Sequence, residues 1–334
     1  MPFMLSVRFF KNVPAWAVWA FKILIAALAI RFILQKVFRH ESIDDLRTAL
    51  KSLNDHTGSM LLYLVFFLLL LNLFTEAIKW KMVMAPLEKI SLLQSFTAVL
   101  TGIAVSFFGP NRSGEFIGRI LYLSEVDKIK ASIVTVLASI GQLVITIAAG
   151  ALCLGFYLRN YFSSALIYYP LYAILFLVSA GLIFLFIYFP YWGTRFSSLR
   201  ILNKFSEYIS VLNLYKPKDF TRILFLSLLR YLVFAHQYYL LQKIFFPATP
   251  YGETLLMISI IYLALAVIPT FALSEISVRS SLALYYLGSI IPNPVSITLA
   301  TLSIWIINIA IPAVAGSVFF LSVRIKNSKA ALEQ

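Results

Sequence analysis

The chain has 334 residues, of which 61% are hydrophobic and 16% aromatic, while only 13% are charged. A soluble domain averages about 25% charged residues, so this composition excludes an ordinary water-soluble enzyme or binding module. The net charge of +14 fits Lys- and Arg-rich cytoplasmic loops better than nucleic-acid binding, because no basic soluble segment is long enough to form a module.

The apolar residues come in runs of roughly 20, the length needed to cross a hydrocarbon core of about 30 Å. The alternating segments of about 10 residues that mark a transmembrane β-barrel are missing. The first run, 14–36, follows Arg8 and Lys11 as a signal peptide would. It is long, carries Lys22 and Arg31, and has no small-x-small cleavage site after it, so it reads as a retained helix. The segment "SIDDLRTALKSL" places Ile43, Leu46, Leu50 and Leu53 at helical spacing and reads as an interfacial helix. Its Asp44 and Asp45 read as a solvated helix start and not as a metal-binding pair.

A second span is expected at 59–80, with Glu76 and Lys79 as an anchor at its cytoplasmic boundary. Region 91–124 follows. It begins with an apolar helix of about 17 residues, too short to cross alone. "FFGPNRSGEFIGR" then interrupts it with Pro110, Arg112, Gly114, Glu115 and Arg119 before a second short helix. Spans are expected again at 130–158 and 167–189. The single cysteine, Cys153, lies in the first of these and reads as a core residue. One thiol makes no intrachain disulfide, and three His with no Cys/His cluster give no zinc site. No metal and no cofactor are expected. Segment 197–215 is amphipathic and basic, like 42–53.

The fifth span, 221–246, carries Arg230 and His236 as candidate substrate contacts, with Gln237 on the Arg230 face. Region 253–288 repeats the pattern of 91–124, with an apolar helix, a break at Pro269, and then Glu275 and Arg279. The last span, 295–322, holds Asn308 near Trp305 and Pro312, expected to join helices by hydrogen bonds.

The two broken regions correspond. Each has Pro, then Glu five or six residues on, then Arg four residues later, and each sits between two full spans. The spans ahead of them cross in opposite directions, so one hairpin enters from each side. The expected fold is an all-α polytopic membrane protein with six full spans plus two re-entrant helical hairpins related as an inverted repeat, the plan of many transporters. It forms a single transmembrane domain over 1–334, with halves at 59–158 and 221–322, an opening span and interfacial helix at 14–57, and a connecting span and amphipathic segment at 167–218. The excess of Lys and Arg in the loops that share a side with both termini places those termini in the cytoplasm and the chain in the cell membrane.

A charge at membrane depth costs on the order of 3 kcal/mol, so it faces a cavity or a partner. Glu115–Arg119 and Glu275–Arg279 are i,i+4 pairs in the favourable order. With Arg112, Arg230 and His236 they are the candidate substrate-binding residues. Pro110, Gly114 and Pro269 are the structural breaks. No GxSxG, P-loop or nucleophile–base arrangement is present, so no catalytic residue is assigned and the chain is not expected to be an enzyme.

At "GPNRSGEFIGR" the sequence resembles the transmembrane region of lysylphosphatidylglycerol synthase/flippase proteins. Pro110, Gly114, Glu115 and Arg119 match the first family pattern, and Pro269 and Glu275 match the second, where "TFAL" replaces the family's glycines. Ser139 and Gln142 stand about where the family has a charged pair. The resemblance runs from about 14 to 322. It implies a carrier of lipids between leaflets, with aminoacylated phospholipids and polyprenyl- or hopanoid-type lipids as family substrates and a lipid synthase as a partner. With no soluble aminoacyl-transferase domain in the sequence, synthase activity is not expected. The reading is a lipid translocase for a lipid with a charged head group. The alternatives are an integral membrane lipid-modifying transferase, or a non-transporting partner of a lipid synthase.

Overall fold

The computed structural model describes residues 47, 51–53, 55–106, 114–124, 126–159, 164–191, 210–268 and 272–320. Regular structure among them is helical throughout. Five helices are long and apolar enough to cross a membrane: α1 (His56–Met84), α4 (Lys128–Leu158), α5 (Ala165–Ile187), α6 (Pro217–Phe245) and α9 (Pro294–Phe320). They correspond to five of the expected spans. The other, 14–36, lies outside the described residues, as do most of 42–53 and the stretch 197–209.

The helix starts follow local chemistry. Asp127 caps α4 by accepting the Ile129 N–H at 2.8 Å, and Asn293 caps α9 by accepting the Ser296 N–H at 2.8 Å. Pro217 and Pro294 occupy first-turn positions where a missing N–H costs nothing. The Asp219 carboxylate accepts the Lys216 N–H at 2.9 Å and closes the start of α6. Just before it, and directly after the 3₁₀ turn that ends at Leu214, the chain is pinned to α1 by the Tyr215 hydroxyl, which donates to the Val83 carbonyl at 2.6 Å. Burial, then the nearby Asp219 carboxylate, raise the Tyr215 pKa and keep that hydroxyl a donor.

Helices α1 and α6 form the axis, and they run antiparallel. Val65 of α1 bonds Gln237 of α6, Asn72 bonds Arg230, and Val83 bonds Tyr215, so one number rises as the other falls. Two apolar cores are threaded on this pair. One gathers Val65, Leu69 and Leu73 with Tyr238, Leu241 and Ile244 of α6 and with Ile258, Leu284, Ile297 and Ile304; the other gathers Ala77, Trp80 and Val83 with Phe220 and Ile223 of α6 and with Val99, Val134, Leu137 and Phe186. Polar side chains lie where the cores part. Helix α5 sits at the edge, packed on α4, and turns Leu166, Ile174, Leu177 and Phe184 outward. An apolar face of that extent suits lipid and not water.

Four shorter helices complete the description: α2 (Leu92–Ser106), α3 (Glu115–Ile120), α7 (Tyr251–Val267) and α8 (Ala272–Tyr286). Each is shorter than the roughly 20 residues a crossing needs. Helices α2 and α3 fold back on each other with their backbones in contact. A Cβ on Gly118 would fall 2.7 Å from Gly102 Cα and 2.7 Å from the Thr101 carbonyl oxygen, and one on Gly102 would fall 2.7 Å from the Glu115 carbonyl oxygen. Small residues at a crossing allow this approach where lipid gives no hydrophobic drive between helices. Gly114 begins α3 against Val105, whose carbonyl oxygen a Cβ would meet at 2.7 Å. Ser95 ties the hairpin to α1 by donating to the Ala77 carbonyl at 2.5 Å.

Gly118→Ala should therefore destabilise the protein by about 1–3 kcal/mol, the scale of overpacking. Gly252→Ala, where a Cβ meets nothing within 4 Å, should be neutral or stabilise by about 0.4–1 kcal/mol. Thermal unfolding in detergent should lower the midpoint for the first variant only.

Candidate functional site

Polar residues on α1 recur at Asn72, Glu76 and Lys79, spacings of four and three that place them on one helical stripe. On α4 the same rule aligns Ser139, Gln142 and Thr146. The two stripes and Arg230 of α6 meet between the apolar cores. At their centre is the Glu76 carboxylate. One oxygen accepts from Arg119 at 2.6 Å; the other is shared by Lys79 at 2.8 Å and by Arg230. Arg119 also binds Glu115, its i,i+4 partner on α3. Arg230 donates from Nε to Asn72 at 2.9 Å, and Gln142 donates to the Ser227 carbonyl at 3.2 Å. The network joins α1, α3, α4 and α6.

Glu76, Lys79 and Arg119 are 3%, 1% and 1% exposed. The pair expected as a boundary anchor is packed inside the protein and joined to other helices. Helix α1 continues to Met84, so both residues lie more than a turn inside it, and Glu76 holds the centre of the charge cluster.

In the second pair of short helices, Arg279 donates to Glu275 at 2.5 Å within α8. Its guanidinium lies 5.7 Å from the centroid of the Tyr262 ring, a cation–π distance. Both hairpins border one cavity of about 450 Å³. Glu115, Glu275, Arg230 and Arg279 line it, together with Glu76, Lys79 and Asn308. Arg119 lies just behind this wall, held by its two carboxylates. His236 does not join them. It is six residues past Arg230, and at about 100° per residue that turns it away from the Arg230 face. Its ring bonds the Leu232 carbonyl at 2.8 Å and the Tyr251 hydroxyl at 2.7 Å. Arg112, Pro110 and Pro269 lie outside the described residues.

Asn308 has the expected role of joining helices, since it donates to Gln237 Oε1 at 2.9 Å, and it also reaches the cavity. Among the described residues no group of three or more His, Cys, Asp and Glu is placed to hold a metal ion. Those brought to the cavity are carboxylates already engaged by Arg or Lys.

The family model described as lysylphosphatidylglycerol synthase TM region matches residues 19–316. The chain belongs to this family. Comparisons with curated proteins and with solved structures gave no match. Membership and the five apolar helices together make this a multi-pass membrane protein. Within a lysylphosphatidylglycerol synthase TM region, then, Glu115 from one pair of short helices and Glu275 and Arg279 from the other border one internal hollow.

Removing one member of a buried ion cluster strands its partners and costs about 3–5 kcal/mol. Glu76→Ala leaves Lys79, Arg119 and Arg230 without their shared carboxylate. It should lower the detergent unfolding midpoint sharply, and Glu76→Asp should recover much of the loss. A midpoint unchanged in Glu76→Ala would show that the cluster holds nothing together.

Proposed function

We propose that the chain is a lipid translocase that moves a lipid with a charged head group between membrane leaflets. One observation carries the reading: a cavity of about 450 Å³ lies between two apolar cores, and charged side chains from both pairs of short helices stand in its otherwise largely apolar wall. That volume is within the range of small-molecule sites, about 300–1,000 Å³. It suits a head group and leaves the acyl chains to the bilayer.

The charge balance suggests which part of the lipid is held. Lys79, Arg119, Arg230 and Arg279 face Glu76, Glu115 and Glu275, four cations against three carboxylates. The excess counts Arg119 behind the wall; a phosphate would meet Lys79, Arg230 and Arg279, the cations at the wall. Arg fits phosphate through two parallel N–H donors. The antiparallel α1 and α6, each followed by a pair of shorter helices, support an inverted-repeat plan for alternating exposure. In this reading the hairpins are re-entrant, both termini lie in the cytoplasm of a cell-membrane protein, the chain itself catalyses no bond change, and a lipid synthase supplies the substrate.

In liposomes, purified protein should bring inner-leaflet fluorescent phosphatidylglycerol within reach of a membrane-impermeant reductant added outside faster than in empty vesicles. Arg230→Gln should slow this by about 10- to 100-fold, the effect of losing a charge-assisted hydrogen bond of about 1.5–3 kcal/mol. Equal rates for the wild type and empty vesicles, with several head groups, would refute the translocase.

A further inference from the structure

Helix α4 is pinned at both ends by charge. Lys128 and Lys130 stand in its first turn, Arg159 directly follows it, and no charged residue lies between. Basic side chains anchor the ends of a span at the two interfaces, so the middle of α4 lies at the middle of the bilayer. Leu143 is fifteen residues from Lys128 and fifteen from Leu158, about 22 Å from either at about 1.5 Å per residue. Ser139 stands one turn away.

Both residues line the cavity, and among its lining residues they are the exposed ones; the rest are buried or half-buried. Leu143 is 42% exposed. A side chain that borders a hollow and is also open on the outside marks its rim. Two close contacts bracket that rim. Toward Lys128, the Trp80 indole of α1 donates to the Thr135 hydroxyl at 3.1 Å, with both residues buried. Toward Leu158, α4 presses on α7 at Gly150, where a Cβ would fall 2.5 Å from Leu263 Cβ. Between them Ser139, Gln142 and Thr146 line the hollow. Beside these, Val136, Ile140 and Leu143, four and three residues apart, form an exposed apolar strip on the same helix.

We propose that the cavity has a lateral mouth at Ser139 and Leu143, opening at mid-bilayer, and that the strip Val136, Ile140 and Leu143 binds an acyl chain of the lipid whose head group is held inside. This rests on the reading of the cavity as a lipid head-group site. A charged group is costly in hydrocarbon, and a mouth at this place keeps the two ends of the lipid apart. The head group stays beside Arg230 and Arg279, while the chain leaves past Ser139 and lies along α4 in the bilayer. At mid-depth the held lipid is equally far from either leaflet, the position expected of a carrier's central site.

The test uses full-length protein in detergent with equimolar phosphatidylglycerol or phosphatidylethanolamine carrying a diazirine midway along one acyl chain. After photolysis, peptide mapping should find adducts concentrated on α4 at 136–147, and an excess of the same lipid without the diazirine should remove them. Leu166, Leu177 and Phe184 of α5, equally open to lipid, should carry few adducts, and the excess should not change those. Adducts no denser on α4 than on α5, with either lipid, or α4 adducts that survive the excess, overturn the mouth. In liposomes, Leu143→Trp should slow flipping about tenfold, the scale of a ring forced into filled space, and Leu177→Trp should not. Equal rates for these two variants would also overturn it. The wild-type photolabelling decides even if Leu143→Trp fails to fold. Displaceable α4 adducts without flipping remove the translocase and keep the mouth, whereas flipping without such adducts removes the mouth and keeps the translocase.

Discussion

One carboxylate, that of Glu76, organises this protein. It is shared by Lys79, Arg119 and Arg230, which come from α1 itself, from the first hairpin and from α6. Ions taken out of water are expensive, and their mutual attraction offsets that cost only with close geometry and further hydrogen bonds. The requirement brings three separate elements to one point. Asn72 and Gln142 supply the remaining hydrogen bonds around Arg230. Two apolar cores then grow on either side, and between them is the hollow that the second hairpin closes with Glu275 and Arg279.

The arrangement also explains why so much polarity is tolerated in so apolar a chain. Each cation at the cavity has a carboxylate in contact, and the first hairpin reaches its place because Gly102 and Gly118 let two backbones touch. With three cations and three carboxylates at its wall already paired, such a hollow is not destabilised when a bound group leaves. A carrier needs that property, since a site that collapses on release does not reset.

Much of this was legible in the sequence. Five spans stand within a few residues of their expected limits, because runs of about 20 apolar residues leave little freedom. The Glu115–Arg119 and Glu275–Arg279 pairs follow from spacing alone. Glu76 was not legible as a centre. Reading the span as ending at residue 80 put Glu76 and Lys79 at its edge, while the helix runs to Met84. The signal was there in Asn72, Glu76 and Lys79 on one stripe, facing a matching stripe of Ser139, Gln142 and Thr146. What joins them is tertiary, the antiparallel crossing of α1 and α6, and no local pattern encodes it. His236 stood out as a histidine in a span, yet one residue's turn separates it from the face of Gln237 and sends it to Tyr251. Asn308 reads from the sequence as a helix joiner, and its amide does join α9 to Gln237 of α6.

The central claim is that the two hairpins face one shared hollow, and it is tested by bridging them. Ser106 of α2 and Ala266 of α7 both line the cavity and carry no charge. In a Cys153→Ser background, Ser106→Cys with Ala266→Cys should be joined within single molecules by a short bifunctional methanethiosulfonate reagent, and a short-chain anionic phospholipid should slow the reaction. Modification of each thiol separately with no bridge at any reagent length, unaffected by lipid, would contradict the account.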